Sequence, residues 1–225
     1  MLTPKDHERL HAALAEAEAG TSGEILCVVA GESARYREVP IAWAALIAFI
    51  GPPLALLLGL RPAMLFDAFN GGWTIAHSGA IEGSLIAGAA AYALAQAALF
   101  AVTLAIVAIP TVRRLLTPGF IKAAHVHARA VELFIHRRHT STAAASILIY
   151  ASNAERRVEI VGDDDVHAAV GDAFWKDAVR TALDMIKAGD APGGLIAAIG
   201  MAGDALATHF PPTGAPRPAG DVSEV

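Results

Sequence analysis

The sequence predicts an α/β fold, in which a small central β-sheet flanked by helices is interrupted by a two-helix transmembrane hairpin. Two long runs without a charged residue predict the hairpin, one from Ile41 to Leu60 and the other from Gly83 to Pro110. Each run can cross a hydrocarbon core about 30 Å thick, because a helix rises about 1.5 Å per residue. Short apolar runs before and after the hairpin predict the strands. The α/β domain must therefore be assembled from two pieces that the hairpin separates.

Composition excludes several classes of protein. The 225 residues leave room for one domain of ordinary size beside the hairpin, and 55% of them are apolar. The net charge of -5 provides no basic footprint, so nucleic acid is not expected as a partner. The charged stretch from Met1 to Gly20 lacks the apolar core of a secretory signal, so the first half is expected to stay in the cytoplasm. The single cysteine, Cys27, is expected to be a buried thiol.

On these grounds the chain divides into four segments. Residues 1–38 are the first part of the α/β domain, and residues 39–112 are the hairpin, with its spans at 41–60 and about 84–110. Residues 113–212 are the second part of the domain. The proline-rich residues 213–225 lack apolar periodicity and are expected to form a disordered tail.

The sequence predicts one helix and one strand in the first part of the domain. Thr3 can cap the helix and Pro4 suits its first turn, while Leu10 and Leu14 recur at helical spacing. The apolar run Glu24–Ala30 predicts a buried strand. A helix and one strand cannot form a domain alone, so this strand is expected to pair with a strand beyond the hairpin.

The charges around the hairpin predict its orientation. Five Lys or Arg residues lie close outside the spans, and one lies in the loop between them. The five are Arg35, Arg37, Arg113, Arg114 and Lys122, and the loop residue is Arg61. By the positive-inside rule, both termini are cytoplasmic and the loop from Arg61 to Glu82 lies outside a bacterial inner membrane. Neither span contains an ionisable residue, which argues against a channel or transporter and favours an anchor.

A basic helix, Lys122–His139, is predicted to follow the hairpin. Its Glu132, His136 and His139 fall on one helix face and could hold a metal ion. A solvated basic face near anionic lipid explains the same residues without a metal.

Two strands and two further helices complete the predicted domain. The runs Ser146–Ala151 and Arg156–Val161 predict a β-hairpin with a short loop. A long helix is expected from Asp165 to Ala188, and a last helix from Leu195 to His209.

Three consecutive carboxylates, Asp163, Asp164 and Asp165, follow the second strand of this β-hairpin. Like charges so close repel, and either a cation or the N–H groups at the start of the next helix must offset the repulsion. If a cation is used, hard oxygen ligands favour calcium or magnesium. Three alternatives follow: a helix cap with Asp165 as the N-cap residue, a divalent-cation site, or the metal site of a phosphatase.

The run from Ser146 to Gly162 resembles the TPM family, and so do Phe174-Trp175, Ile186–Asp190 and Leu206–Pro211. Thr21–Ile25 is similar to the first strand of that family, and the membrane hairpin resembles an insertion. The resemblance implies an α/β sandwich with a small central sheet and a membrane-associated accessory or repair factor. It also implies phosphatase activity, claimed for a plant member, and calcium binding, found in some members.

Together these observations predict a membrane-anchored binding or accessory module at the cytoplasmic face of the inner membrane. Its expected partners are the lipid bilayer and other membrane proteins. Metal-assisted phosphatase activity is the alternative, with calcium or magnesium held by Asp163, Asp164 and Asp165. The sequence contains no Walker loop and no nucleophile elbow, so no catalytic residue is predicted.

Overall fold

The computed structural model describes residues 2–59, 81–139, 141, 143–212 and 221–224. The chain forms two compact units. The first consists of Met1–Arg35 and Gly119–Val225 and is called the α/β domain below, and the second, the inserted unit, is Tyr36–Pro118. The predicted boundaries are at 38/39 and 112/113, a few residues from these. The inserted unit therefore interrupts the α/β domain along the chain.

The α/β domain contains both helices and strands, whereas the regular elements described in the inserted unit are all helices. In chain order the elements are α1 (Pro4–Ala19), β1 (Glu24–Ala30), α2 (Glu38–Leu57), α3 (Ile81–Ala108), α4 (Pro110–Leu116), α5 (Gly119–Arg138), β2 (Ser146–Ser152), β3 (Arg157–Gly162), α6 (Asp164–Val170), α7 (Asp172–Lys187), α8 (Ala191–His209) and β4 (Val222–Glu224). Of these, α2, α3 and α4 belong to the inserted unit.

Helix α1 begins where its sequence predicts. The Thr3 hydroxyl accepts a hydrogen bond from the backbone N–H of Asp6 at 3.2 Å, and the Asp6 carboxylate accepts one from the N–H of Thr3 at 2.9 Å. This reciprocal pair satisfies donors that the first turn of a helix leaves without partners. Leu10 and Leu14, four residues apart on one face, are fully buried in the core as predicted.

The central sheet has four strands in the order β3-β2-β1-β4. Strands β1 and β2 pair in parallel, with Glu24 opposite Ser146 and Ala30 opposite Ser152. Strands β2 and β3 are antiparallel. The predicted pairing of β1 with the strand beyond the insertion is therefore confirmed, as is the α/β fold with a small sheet flanked by helices.

Alternate residues of β1 enter two different cores, because successive side chains of a strand point to opposite faces. Ile25 and Cys27 pack in the core that contains residues of α1, α6, α7 and α8. Leu26 and Val28 pack with residues of α5 on the other face. The domain is thus a sheet between two helical layers, which explains why β1 is apolar from Ile25 to Ala30.

The long helix predicted from Asp165 to Ala188 is two helices. Gly171 has a φ of +84°, a conformation that L side chains rarely adopt, and it separates α6 from α7. The prediction missed the break because Val170, Phe174 and Trp175 continue the apolar pattern across it, all three packed in or against one core.

The tail predicted to be disordered contains a strand. Val222–Glu224 forms β4, which pairs in parallel with Cys27–Val29 of β1. The prediction is wrong for these three residues, because a strand of this length carries no periodic signal of its own and forms only where a longer strand offers an open edge.

Helix α8 is long and apolar enough to cross a membrane, yet it belongs to the α/β domain. Leu195, Ile199 and Leu206 are fully buried in the core, and half of the most apolar stretch of the helix is buried. Gly203 brings α8 close to α1, since a Cβ added there would lie 2.6 Å from the Cβ of Ala17. The apolar composition of α8 therefore serves the core of the domain.

The inserted unit contains the two helices on which the predicted spans fall. Helix α2 is apolar and long enough to cross a membrane and is 22% buried over its most apolar stretch, whereas Tyr92–Ala108 of α3 reaches that length only when α4 is counted with it as one broken span. Tyr92–Ala108 and α4 meet at a bend of 97°. Helices α2 and α3 pack against each other, with Gly51 beside the Leu99 side chain. The loop predicted from Arg61 to Glu82 lies mostly outside the described residues.

Candidate functional site

The three predicted site residues lie where β3 ends and α6 begins. Asp163 occupies the N-cap position of α6, and Asp164 and Asp165 form the first turn of that helix. Asp163 is partly buried, whereas Asp164 and Asp165 are exposed. The predicted N-cap residue, Asp165, is thus inside the helix, and the side chain of Asp163 makes no capping hydrogen bond.

The Asp163 carboxylate is held by two donors from other elements. Its Oδ1 accepts a hydrogen bond from Nε of Arg138 at 2.9 Å, and its Oδ2 accepts one from the backbone N–H of Ser146 at 2.8 Å. Arg138 also donates through Nη1 to the carbonyl oxygen of Ala143 at 3.3 Å. Asp163 therefore ties the end of α5 to the beginning of β2.

Arg138 binds Asp163, a role that the sequence does not indicate. It lies in the predicted basic helix Lys122–His139, but it forms an ion pair with Asp163 that is about two-thirds buried on the arginine side. Nothing in the local sequence connects residues 25 positions apart, so only the tertiary structure reveals this pair. The Arg138 guanidinium offsets the negative charge of Asp163, where the sequence suggested a cation or helix N–H groups.

Metal binding by the acidic cluster stays a prediction. Within the described part of the chain, no group of three or more His, Cys, Asp or Glu side chains is arranged to hold a metal ion. An ion that used Asp163 would have to compete with Arg138 and the Ser146 N–H for the carboxylate. On α5, the carboxylate of Glu132 is paired with Arg129 at 2.8 Å.

A second polar cluster lies at the carboxyl ends of β1 and β2. The Glu155 carboxylate accepts hydrogen bonds from the backbone N–H of Ser33 at 3.2 Å and from the Ser152 hydroxyl. The hydroxyls of Ser33 and Tyr150 lie 3.0 Å apart, and burial raises the pKa of Tyr150. Sequence reasoning missed this cluster, because Glu155 in a loop and Ser33 before the insertion share no local pattern.

Polar residues at this end of the sheet contact the chain on both sides of the insertion. Ser33, three residues before the inserted unit, donates its backbone N–H to the carboxylate of Glu155 in the β2–β3 turn. Gly119, the first residue after the inserted unit, accepts a hydrogen bond from Nη2 of Arg157 at 3.1 Å. Ligands of open α/β sheets commonly bind beyond the carboxyl ends of the strands. Here that edge is used to anchor the two connections to the inserted unit.

Cys27 is a buried thiol, as predicted. It lies on β1 inside the core, and burial raises its pKa to about 12. The thiolate is the reactive form of cysteine, so this residue is inert near neutral pH.

Comparison with known proteins finds similarity to one domain family over part of the chain. A family model described as TPM domain, and named for TPM phosphatase, matches residues 95–205. No curated protein matches the chain. Among solved structures, the chain is similar to the NMR structure of BA42 protein from the psychrophilic bacterium Bizionia argentinensis. The two share 18% identity and a TM-score of 0.48, over 94% of this chain and 85% of that one. Over residues 95–205, the chain therefore has the similarity to the TPM domain that its strand hairpin and last helices predict.

Proposed function

We propose that the protein is a membrane-anchored binding or accessory module, in which the inserted unit holds the α/β domain at the cytoplasmic face of a bacterial inner membrane. The observation that supports this proposal is the apolar surface of the inserted unit. Phe49, Leu57 and Leu94 expose 71%, 84% and 68% of their surface. Soluble proteins rarely expose contiguous apolar surface of this kind, whereas lipid tails solvate it without cost.

The packing within the inserted unit agrees with a pair of spans. Ala44 and Ala48 of α2 are buried, and Gly51 continues their row of small residues next to Leu99 of α3. Small residues let helix backbones approach closely in lipid, where no hydrophobic force drives helices together. The large apolar side chains then face outward, as in a helix pair surrounded by acyl chains.

The charges favour an orientation with both termini in the cytoplasm. Arg113 and Arg114 lie on α4, just past the 97° bend that ends the second long helix. The indole N–H of Trp43, near the start of α2, donates to the carbonyl oxygen of Leu116 at 3.2 Å. This contact brings the beginning of one predicted span and the end of the other to the same side. Arginine side chains on that side suit anionic headgroups of the inner leaflet.

Labelling of single cysteines tests insertion and orientation together. In a Cys27→Ala background, Ser78→Cys places a thiol in the predicted outer loop and Ala168→Cys places a matched thiol on exposed α6. We expect a membrane-impermeant maleimide to modify the first variant in intact spheroplasts and the second only after the membrane is opened. The chain should also stay in the pellet after carbonate extraction. Modification of Ser78→Cys only after opening would refute the orientation, and extraction by carbonate would refute insertion.

The phosphatase alternative stays a prediction, with no specific observation in its favour. Hydrolysis of an aryl phosphate by the purified chain, with and without magnesium or calcium, tests it. Metal-dependent turnover that is lost in Asp163→Asn would show that the chain is an enzyme and would contradict a purely binding role.

A further inference from the structure

The open edge of β1 is covered by the last part of the chain. Strand β4 pairs with Cys27–Val29, and the N–H of Cys27 donates to the carbonyl oxygen of Asp221 at 3.2 Å. The N–H of Ile25, two residues earlier on the same edge, donates instead to the Glu18 carboxylate at 2.7 Å. Three residues of β4 therefore cover what would otherwise be an exposed edge of an apolar strand, a surface that readily pairs with another extended chain.

Side chains hold the Asp221–Glu224 segment in a defined register. Val222 enters the core of the domain and is 8% exposed. On one side of it, the Asp221 carboxylate accepts a hydrogen bond from Nη2 of Arg137 at 3.1 Å. On the other side, the Glu224 carboxylate accepts one from the backbone N–H of Leu2 at 3.1 Å. The edge thus recognises an acidic residue, then a β-branched apolar residue, then one further residue and a second acidic residue.

The contact is small and mostly solvent-accessible. Only Val222 of the segment is buried, and the Arg137–Asp221 pair is about half exposed on both sides. Short edge strands with few buried contacts belong to the least stable parts of a fold. A segment of another protein with the same pattern could therefore replace β4 without disturbing β1.

We propose that the β1 edge is a docking site for an extended acidic segment of a partner protein, and that Asp221–Glu224 occupies this site in cis. Backbone hydrogen bonds to β1 would supply affinity. The pocket that receives Val222 and the Arg137 guanidinium would supply specificity, as in other cases of strand addition. The proposal rests on the binding role proposed above, because it names where a protein partner of the module docks.

Peptide binding by a chain that lacks the segment tests the proposal. The chain ending at Pro212 and the full chain are compared in detergent, with residues 220–225 as a synthetic peptide and the amide NMR signals of β1 as the readout. We expect the peptide to shift the Cys27 and Val29 signals in the shortened chain. The full chain should need about tenfold more peptide, because its own segment competes at an effective concentration in the millimolar range.

Matched variants separate docking from weak general association. A peptide with Val222→Asp should cause no shift, and Arg137→Gln in the shortened chain should weaken binding, whereas Arg180→Gln on exposed α7 should not. If the shortened chain does not fold, the full chain with Val222→Asp opens the same edge and should gain peptide binding. Equal binding of both peptides, or no binding by a folded chain with the edge open, would overturn the proposal. If carbonate released the chain from the membrane, membrane anchoring would be refuted, but the peptide-binding result would still stand.

Discussion

The contact between α8 and α1 predicts opposite effects for two glycine substitutions on the same helix. A Cβ added at Gly203 would lie 2.6 Å from the Cβ and 3.0 Å from the Cα of Ala17, so the backbone of α1 would have to move. A Cβ added at Gly200, one turn earlier, would meet no atom within 4 Å, and this residue is exposed. Gly203→Ala therefore tests packing, and Gly200→Ala is its control.

The two substitutions share the gain in helix propensity and differ only in packing. Replacing a helical glycine by alanine contributes about 0.5–1 kcal/mol when the position is compatible. Forcing extra volume into a packed interior costs about 1–3 kcal/mol. We expect Gly200→Ala to raise the free energy of unfolding by about 0.5–1 kcal/mol and Gly203→Ala to lower it by about 1–2 kcal/mol.

Thermal unfolding of the purified chain in mild detergent, followed by near-UV circular dichroism, measures both effects. The melting temperature should rise for Gly200→Ala and fall for Gly203→Ala. If both variants were stabilised equally, the face of α8 that carries Gly203 could not be packed against α1. The apolar helix would then be better explained as lipid-facing than as a core helix.

Three further predictions concern titration and charge. Above pH 9 the Cys27 thiol ionises in the unfolded chain but not in the folded one, where its pKa is about 12. Stability should therefore fall by about 1.4 kcal/mol per pH unit from pH 9 to 12, and this part of the slope should vanish in Cys27→Ala. Asp163→Asn should lower the free energy of unfolding by about 1–2 kcal/mol, because it weakens the pair with Arg138. The control Asp165→Asn, at an exposed position, should change the free energy of unfolding by about 0.5 kcal/mol or less. Urea unfolding of both variants measures these changes. If the acidic cluster binds calcium as the sequence predicts, millimolar calcium at fixed ionic strength should raise the melting temperature, whereas an unmoved curve would leave Arg138 as the countercharge.

Local patterns were sufficient to predict the bounds of β1 and the faces of α1. Glu24–Ala30 is apolar after its first residue and is bounded by glycine, and its bounds in the structure are those predicted. Leu10 and Leu14 lie at helical spacing and are buried. In both cases, the apolar residues that predict the element are the residues that the element buries.

The pairing of β1 with β2 was predicted from the need to bury both strands, but side-chain contacts between distant elements could not be predicted. The Arg138–Asp163 pair joins α5 to the end of β3, and Glu155 holds Ser33 across the whole insertion. Strand β4 exists only because β1 offers it an edge. No periodicity records such contacts, since each depends on how distant elements pack.

The sheet of one α/β domain closes across the inserted unit, since β1 and β2 pair from opposite sides of it. Both connections to that unit contact the same end of the sheet, Ser33 through Glu155 in the β2–β3 turn and Gly119 through Arg157 at the start of β3, so a short linker should join them. The decisive measurement is the set of NMR cross-strand contacts in a version in which a short Gly/Ser linker replaces Val39–Thr117. We expect a soluble, cooperatively folded domain with contacts between β1 and β2 in the parallel register of the full chain. Absence of these contacts in a folded version would contradict the claim, as would a segment Val126–Pro211 that folds alone with equal stability.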